Sequence, residues 1–325
     1  MAGLTGGADA AKKQKHSDTF PLTGSVSLNP SMSAGTLYAG PTARPGVDFS
    51  LGYSARLAFA PGFGLNASQF VTKSIVTNAD SGAARPYDTT AGDIVMGLQW
   101  SPRFADDKGV KKPLMLPGGI RVGTNLQMIL GVSRFSRYVG RLGQIGPVVN
   151  LSRGFFGGKL STVAGIAFLK NINRAVGASV PVEDGTALAR LNGPELLAGG
   201  FVLTGQNVTS HAVRYVLSAN LNLGSRWSVS ATYLLFNNFR QFDAPDDQYT
   251  AKYGRVGRGR TDSQWGILGV NYNVDEAGHW SAALSGFTAS APFSADNKTL
   301  RFPFWDFRSP QDNLSAINAS LSFAF

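Results

Sequence analysis

Along most of this chain, apolar and polar residues change places at every step. One such segment carries Val47, Phe49, Leu51, Tyr53, Ala55, Leu57 and Phe59, with Asp48, Ser50, Gly52, Ser54, Arg56 and Ala58 between them. The period returns from Ile120, where Val122, Leu126, Met128 and Leu130 oppose Arg121, Asn125 and Gln127. It returns again from Val213, where Tyr215, Leu217 and Leu221 oppose Arg214, Ser218 and Asn220, and from Trp227. A period of two belongs to extended strands, whose side chains point to opposite faces. The polar set here is too rich in charge and amide for the dry core of a sandwich, where each such group left unpaired costs several kcal/mol. A sheet closed on itself, with water inside and hydrocarbon outside, removes that cost.

About twelve such segments can be counted, each of about ten residues or more, the length a tilted strand needs to cross a bilayer. They run over 19–29, 47–60, 64–77, 90–100, 119–133, 146–156, 159–170, 209–223, 227–239, 262–274, 280–291 and 313–325. Tight connections at 61–64, 156–159, 224–226 and 275–279 mostly alternate with long polar ones at 78–89, 134–146, 171–195, 239–262 and 292–311. That alternation predicts an antiparallel up-and-down barrel with turns at one end and loops at the other. The connection 101–118 is long and basic where a turn is due, and is expected as an excursion on the turn side. The apolar stretch 196–204 would make the count odd as a spanning strand, so it is placed in an outer loop folded back on itself. Fourteen strands is the alternative count. The expected organisation is a flexible polar tail over 1–18 and a transmembrane β-barrel over 19–325.

Composition supports the same fold. Charged residues are only 15% of the chain, glycine numbers 39, and the mean hydropathy is −0.03. A helical membrane protein would be far more apolar, and the longest uncharged stretch near the middle, 196–213, carries Gly199, Gly200, Gln206, Asn207 and His211. Residues 1–16 lack the apolar core of a secretory signal, so export would require a leader removed before maturity. There is no cysteine, which excludes disulfides, thiolate metal sites and cysteine nucleophiles. The formal charge of +10 is read as attraction to lipopolysaccharide phosphate or to anionic solutes, not to nucleic acid.

At the C-terminus Ile317, Ala319, Leu321, Phe323 and Phe325 alternate with Asn318, Ser320, Ser322 and Ala324. This resembles the terminal signal strand of bacterial outer-membrane β-barrels, whose last aromatic is read by the barrel-assembly machinery. The stretch Gly92 to Trp100, followed by a basic turn and Ile120-Arg121-Val122-Gly123, is similar to outer-membrane transporters associated with aromatic-compound degradation. That resemblance implies an apolar or aromatic solute and transfers no substrate residue. Mitochondrial porins and soluble β-sandwiches are the competing folds.

Candidate residues follow from the alternation. Arg56, Arg121, Arg153 and Arg214, with Asp48, Asp93, Asn125 and Gln127, are expected to face the lumen. Arg134, Arg137 and Arg141 in one outer loop, and Arg255, Arg258 and Arg260 in another, would draw anions to the mouth or pair with outer-leaflet phosphates. Phe302, Phe304 and Trp305 would constrict the mouth or bind an apolar partner. Phe59, Phe63, Trp100, Phe155, Trp227, Tyr272, Trp280 and Phe323 fall near the short turns and would form an interfacial belt. No catalytic set emerges: of the three histidines only His211, beside Ser210, could belong to a lipid-facing hydrolase, and no acid or amide is spaced to orient it. No metal or cofactor motif is present. The expected function is an outer-membrane channel or transporter for small solutes through a narrow, arginine-lined lumen. The alternative is a non-conducting barrel serving as subunit or scaffold of a surface export or assembly complex, docking a protein partner through 101–118 or the tail.

Overall fold

The computed structural model describes residues 22–33, 46–60, 62–75, 89–105, 111–138, 140–174, 177–181, 196–197, 201–240, 259–293, 300–304 and 314–325. The expected tail at 1–18 lies outside them, as do Arg255, Arg258 and Trp305.

Strands follow one another as β1 (Leu22–Ser33), β2 (Val47–Ala60), β3 (Phe63–Ile75), β4 (Thr89–Ala91), β5 (Ile94–Trp100), β6 (Arg103–Ala105), β7 (Lys111–Pro113), β8 (Met115–Leu116) and β9 (Ile120–Leu130). They continue as β10 (Arg141–Phe155), β11 (Leu160–Asn173), β12 (Gly177–Pro181), β13 (Leu196–Leu197), β14 (Phe201–Asn207) and β15 (Thr209–Leu223). Last come β16 (Trp227–Arg240), β17 (Arg260–Asn273), β18 (Trp280–Ser290) and β19 (Leu314–Ala324). Twelve staves form the wall, with β4 and β5 sharing one stave. Every neighbour pair is antiparallel, and β1 pairs with β19 while β9 pairs with β10, so the sheet closes without an edge. Closure satisfies every stave's backbone polar groups inside the sheet, the condition for a strand fold in hydrocarbon. No helix among the described residues is long and apolar enough to cross a membrane.

The excursion at 101–118 holds the β6–β7 hairpin and β8, which pairs with the start of β9. The stretch 196–204 folds back as expected: β14 pairs with β12 and β13 in a separate three-stranded sheet. Tight turns use glycine where the backbone must turn left-handed, as at Gly224 (φ 78°).

Register sorts the side chains. Leu51, Val71 and Leu28 share one face, as do Leu98, Leu126, Val149, Ile166, Tyr215 and Leu217 elsewhere. This outer face leaves its large apolar side chains exposed, Leu217 at 56% and Leu284 at 58% among them. The opposite, lumenal face carries Ser27, Ser50, Ser54, Asn66, Gln99, Asn125, Asn150 and Ser218 in matching register. The predicted aromatic belt lies on the outer face at the turn end. Phe59 to Phe63 and Phe63 to Trp100 are each 6.2 Å between ring centres, Trp227 to Tyr272 is 4.7 Å and Trp280 to Phe323 is 4.8 Å.

Candidate functional site

The lumen has two levels. Near the turn end it is polar. The register runs Thr23, Arg56, Asn66, Gly97, Gln127 across five staves, with Gln99 and Asn125 one step toward the turns. A Cβ on Gly97 would collide with the side-chain oxygens of Asn66 and Asn125. Glycine there lets the two amides converge. Both of those oxygens are buried without a hydrogen-bond partner among the described residues. Arg121, opposite Ser152, is exposed at the turn end of the same face. Asp48, opposite Ser74 and Ser31, faces the lumen toward the loop end.

Near the loop end one wall is apolar, which the alternation did not predict. Leu169 and Ala212 are fully buried, Leu234 is 3% exposed, and all three face inward. Phe236 lies 4.4 Å from Trp265 between ring centres, and Trp265 meets Phe287 edge-on at 5.4 Å. A sequence signal existed: Leu234-Leu235-Phe236 breaks the polar step, and Trp265, Ile267 and Phe287 occupy lumenal parity.

Arg214 stands at the border of this strip. Its guanidinium carbon lies 5.7 Å from the centre of the Phe236 ring, and Nη2 donates to Gln144 Oε1 at 3.1 Å. Gln144 donates to Asn171, which donates to the Thr209 carbonyl at 2.6 Å. Arg214 Nε is buried without a partner among the described residues. Cation–π contact and charge-assisted bonding hold this side chain in place.

Asp93 fastens the loop end. It accepts from Ser136 Oγ at 2.6 Å, from the Ser133 amide at 2.8 Å and from Arg141 Nη2 at 2.6 Å. Ser136 belongs to a short helix, Arg134–Tyr138. Arg141 is thereby an ion-pair member joining β10 to the start of β5, where the sequence suggested a mouth cation. Arg137 is exposed on the helix.

Two expectations are corrected. Arg153 shares the outer face with Leu151 and Val149, opposite Thr162, with its guanidinium carbon 4.6 Å from the Phe155 ring centre. It lies two residues from the strand end, where a long side chain reaches polar surroundings along an aromatic ring. Arg260 faces outward too, opposite Phe239, which fits the outer-leaflet alternative and not the mouth, and pairs with Asp262 at 2.6 Å. The described part of the aromatic loop does not enter the mouth. Residues 300–304 lie on the outer face of β17 and β18, because Gln264 donates to the Arg301 carbonyl at 3.1 Å and Thr288 to the Phe304 carbonyl. Gly266 makes room for this strap: a Cβ there would strike the Pro303 carbonyl. Phe302 and Phe304 touch one another at 5.5 Å, with Phe302 60% exposed.

Ser210 Oγ and His211 Nδ1 are 2.8 Å apart. Ser210 is only 7% exposed, and its Oγ also contacts the Phe239 and Arg240 carbonyls at 3.3 and 3.2 Å. The hydroxyl is turned into the wall, not toward a substrate. Among the described residues no three His, Asp or Glu side chains converge as a metal site would require.

No family model and no curated protein matches the chain. Solved structures do. An outer membrane channel from Pseudomonas putida F1 aligns with a TM-score of 0.51 and 8% identity, covering 94% of this chain and 96% of that one. The NanC porin aligns at TM-score 0.45 and 10% identity over 92% and 98% of the two chains. The KdgM porin aligns at 0.42 and 7% over 93% and 99%. Only the first of these superpositions is close enough to bear on the fold. At such identity it establishes the shared twelve-stave barrel and nothing finer.

Proposed function

We propose that this protein is a channel of the bacterial outer membrane that passes small solutes through a narrow lumen bearing Arg56, Arg121 and Arg214. One observation carries the reading. The closed wall has Leu, Val and aromatic side chains exposed on its outside, and amides and hydroxyls along much of its inside. Hydrocarbon around the cylinder and water within it satisfy both faces at once, and few other surroundings do. Its natural neighbours are then outer-leaflet lipid and lipopolysaccharide, with the barrel-assembly machinery as the partner that installs it. Arginines facing a pore favour anions, because fixed positive charge raises the local anion concentration. In planar bilayers the purified protein is expected to conduct with anion preference, and Arg121→Glu should weaken that preference. Cation preference, or no effect of the substitution, overturns the arginine-lined reading.

A second reading rests on the buried strip at the loop end. Leu169, Ala212 and Leu234 are buried although they face inward. That supports a lumen narrowed on one side, as in a non-conducting barrel serving a surface complex. A silent bilayer trace from protein that shows heat-modifiable migration would favour it.

A further inference from the structure

We infer that the loop end of the outer wall carries a binding site for the phosphate groups of an outer-leaflet glycolipid, built from Lys170, His211 and Arg260 around Phe239. The inference rests on the membrane-channel reading, because it needs lipid against this face. The four residues form one unbroken register row: Lys170 pairs with His211, His211 with Phe239, and Phe239 with Arg260. The row crosses β11, β15, β16 and β17, and its side chains point outward.

Its depth fits a phosphate. The turn-end belt lies at Phe155–Leu160 on this part of the wall, and Lys170 stands ten residues further along β11. Ten residues at about 3.3 Å each, tilted by roughly 40°, rise about 25 Å, the height of the apolar band of such barrels. Inside the row the outer face is greasy: Phe168 is 48% exposed and Ile166 47%. Beyond it one more apolar side chain, Ile172 at 51% exposed, precedes the exposed Arg174 at the strand end. Cations that sit where hydrocarbon stops meet headgroup phosphates.

The row is also built to hold an anion. The His211 ring stacks on Phe239 at 4.6 Å and 8° and tilts against Phe168 at 5.7 Å. Ser210 Oγ holds Nδ1 at 2.8 Å from inside the wall, where the sheet register shifts. The Ser210 hydroxyl can donate to Nδ1, which puts the ring proton on Nε2. In that tautomer Nε2–H is a donor suited to a phosphate oxygen. The Arg260 guanidinium carbon lies 5.7 Å from the Phe239 ring centre, and Nε is occupied by Asp262. Its terminal nitrogens keep the fork that binds phosphate oxygens in pairs. Asp262 offsets one of the positive charges, so the net field comes from Lys170, with Arg260 and the His211 ring supplying geometry.

The test uses the full chain in nanodiscs of phosphatidylcholine doped with diphosphorylated lipid A, dephosphorylated lipid A, or neither, with lipid retention read by native mass spectrometry. Diphosphorylated lipid A should be retained preferentially. Lys170→Gln or Arg260→Gln should each lower retention about fivefold, on the scale of one cation at a membrane surface. Arg226→Gln, at the opposite end, should leave it unchanged. Equal retention of both lipids by the native chain, or an unchanged preference in K170Q/R260Q, overturns the site. Full competition by free inorganic pyrophosphate overturns the lipid assignment in favour of a soluble-anion site. Heat-modifiable migration and conductance of each variant report separately on the barrel. Their loss in the native chain defeats the channel reading, and their survival alongside lost selectivity for phosphate defeats only this inference.

Discussion

Asp275 closes the turn between β17 and β18. Its carboxylate accepts from the Trp280 amide at 2.7 Å and the His279 amide at 3.1 Å, with His279 Nδ1 at 3.5 Å. The Trp280 amide first, then His279, hold the carboxyl below its ordinary value. In the folded chain the proton therefore binds less readily than in the unfolded chain, so the contribution is complete above the ordinary carboxylate range and is lost as pH falls through the lowered value. The drop in melting temperature between about pH 7 and about pH 3 should be smaller in Asp275→Asn than in the native chain. Equal drops would show that the turn gains nothing from the charge. Single residues also set the limit of sequence reading. Arg56, Arg121 and Arg214 were assignable to one face of the sheet because their neighbours alternate cleanly. Arg153 was not, because a charge near a strand end is as stable beside an interfacial aromatic as in a wet lumen.

Among the elements, the stave β4–β5 and the short helix Arg134–Tyr138 depend on one another through Asp93. Its bonds to Ser133, Ser136 and Arg141 cross three segments that are adjacent only in the folded chain. Arg141 and Asp93 are 18% and 12% exposed, so screening is slight. Asp93→Asn should cost about 1.5–3 kcal/mol, the range for hydrogen bonds to charged groups, measured by urea unfolding from lipid vesicles. The strap at 300–304 makes an independent prediction. Gly266→Val should displace it from β17 and β18, raising protease cleavage at Arg301 while conductance stays the same. A change in conductance would restore the idea that this loop narrows the mouth. The strap also shows why its location was not legible. The sequence displays an aromatic cluster, but which face of the wall receives it depends on a glycine and on Gln264 and Thr288, far away along the chain.

At the scale of the whole molecule, closure is the controlling event. The Gly24 amide donates to the Phe325 carbonyl and the Phe325 amide to the Gly24 carbonyl, both at 2.9 Å, while the Phe325 ring occupies the space a Cβ on Gly24 would fill. Phe325→Ser should reduce the yield of heat-modifiable barrel and lower its melting temperature; unchanged assembly would remove the terminal aromatic from both roles. Strand identity, the two polarities of most of the wall and the aromatic belt were legible in the sequence alone, because each is a matter of parity along a local stretch, and parity survives without knowing any partner; the choice of twelve staves over fourteen was not. The buried apolar strip, the Arg214–Gln144–Asn171 chain, the Asp93 fastening and the outward row from Lys170 to Arg260 were decided only by the tertiary structure. Each depends on register between staves, and register places side by side residues that lie tens of positions apart.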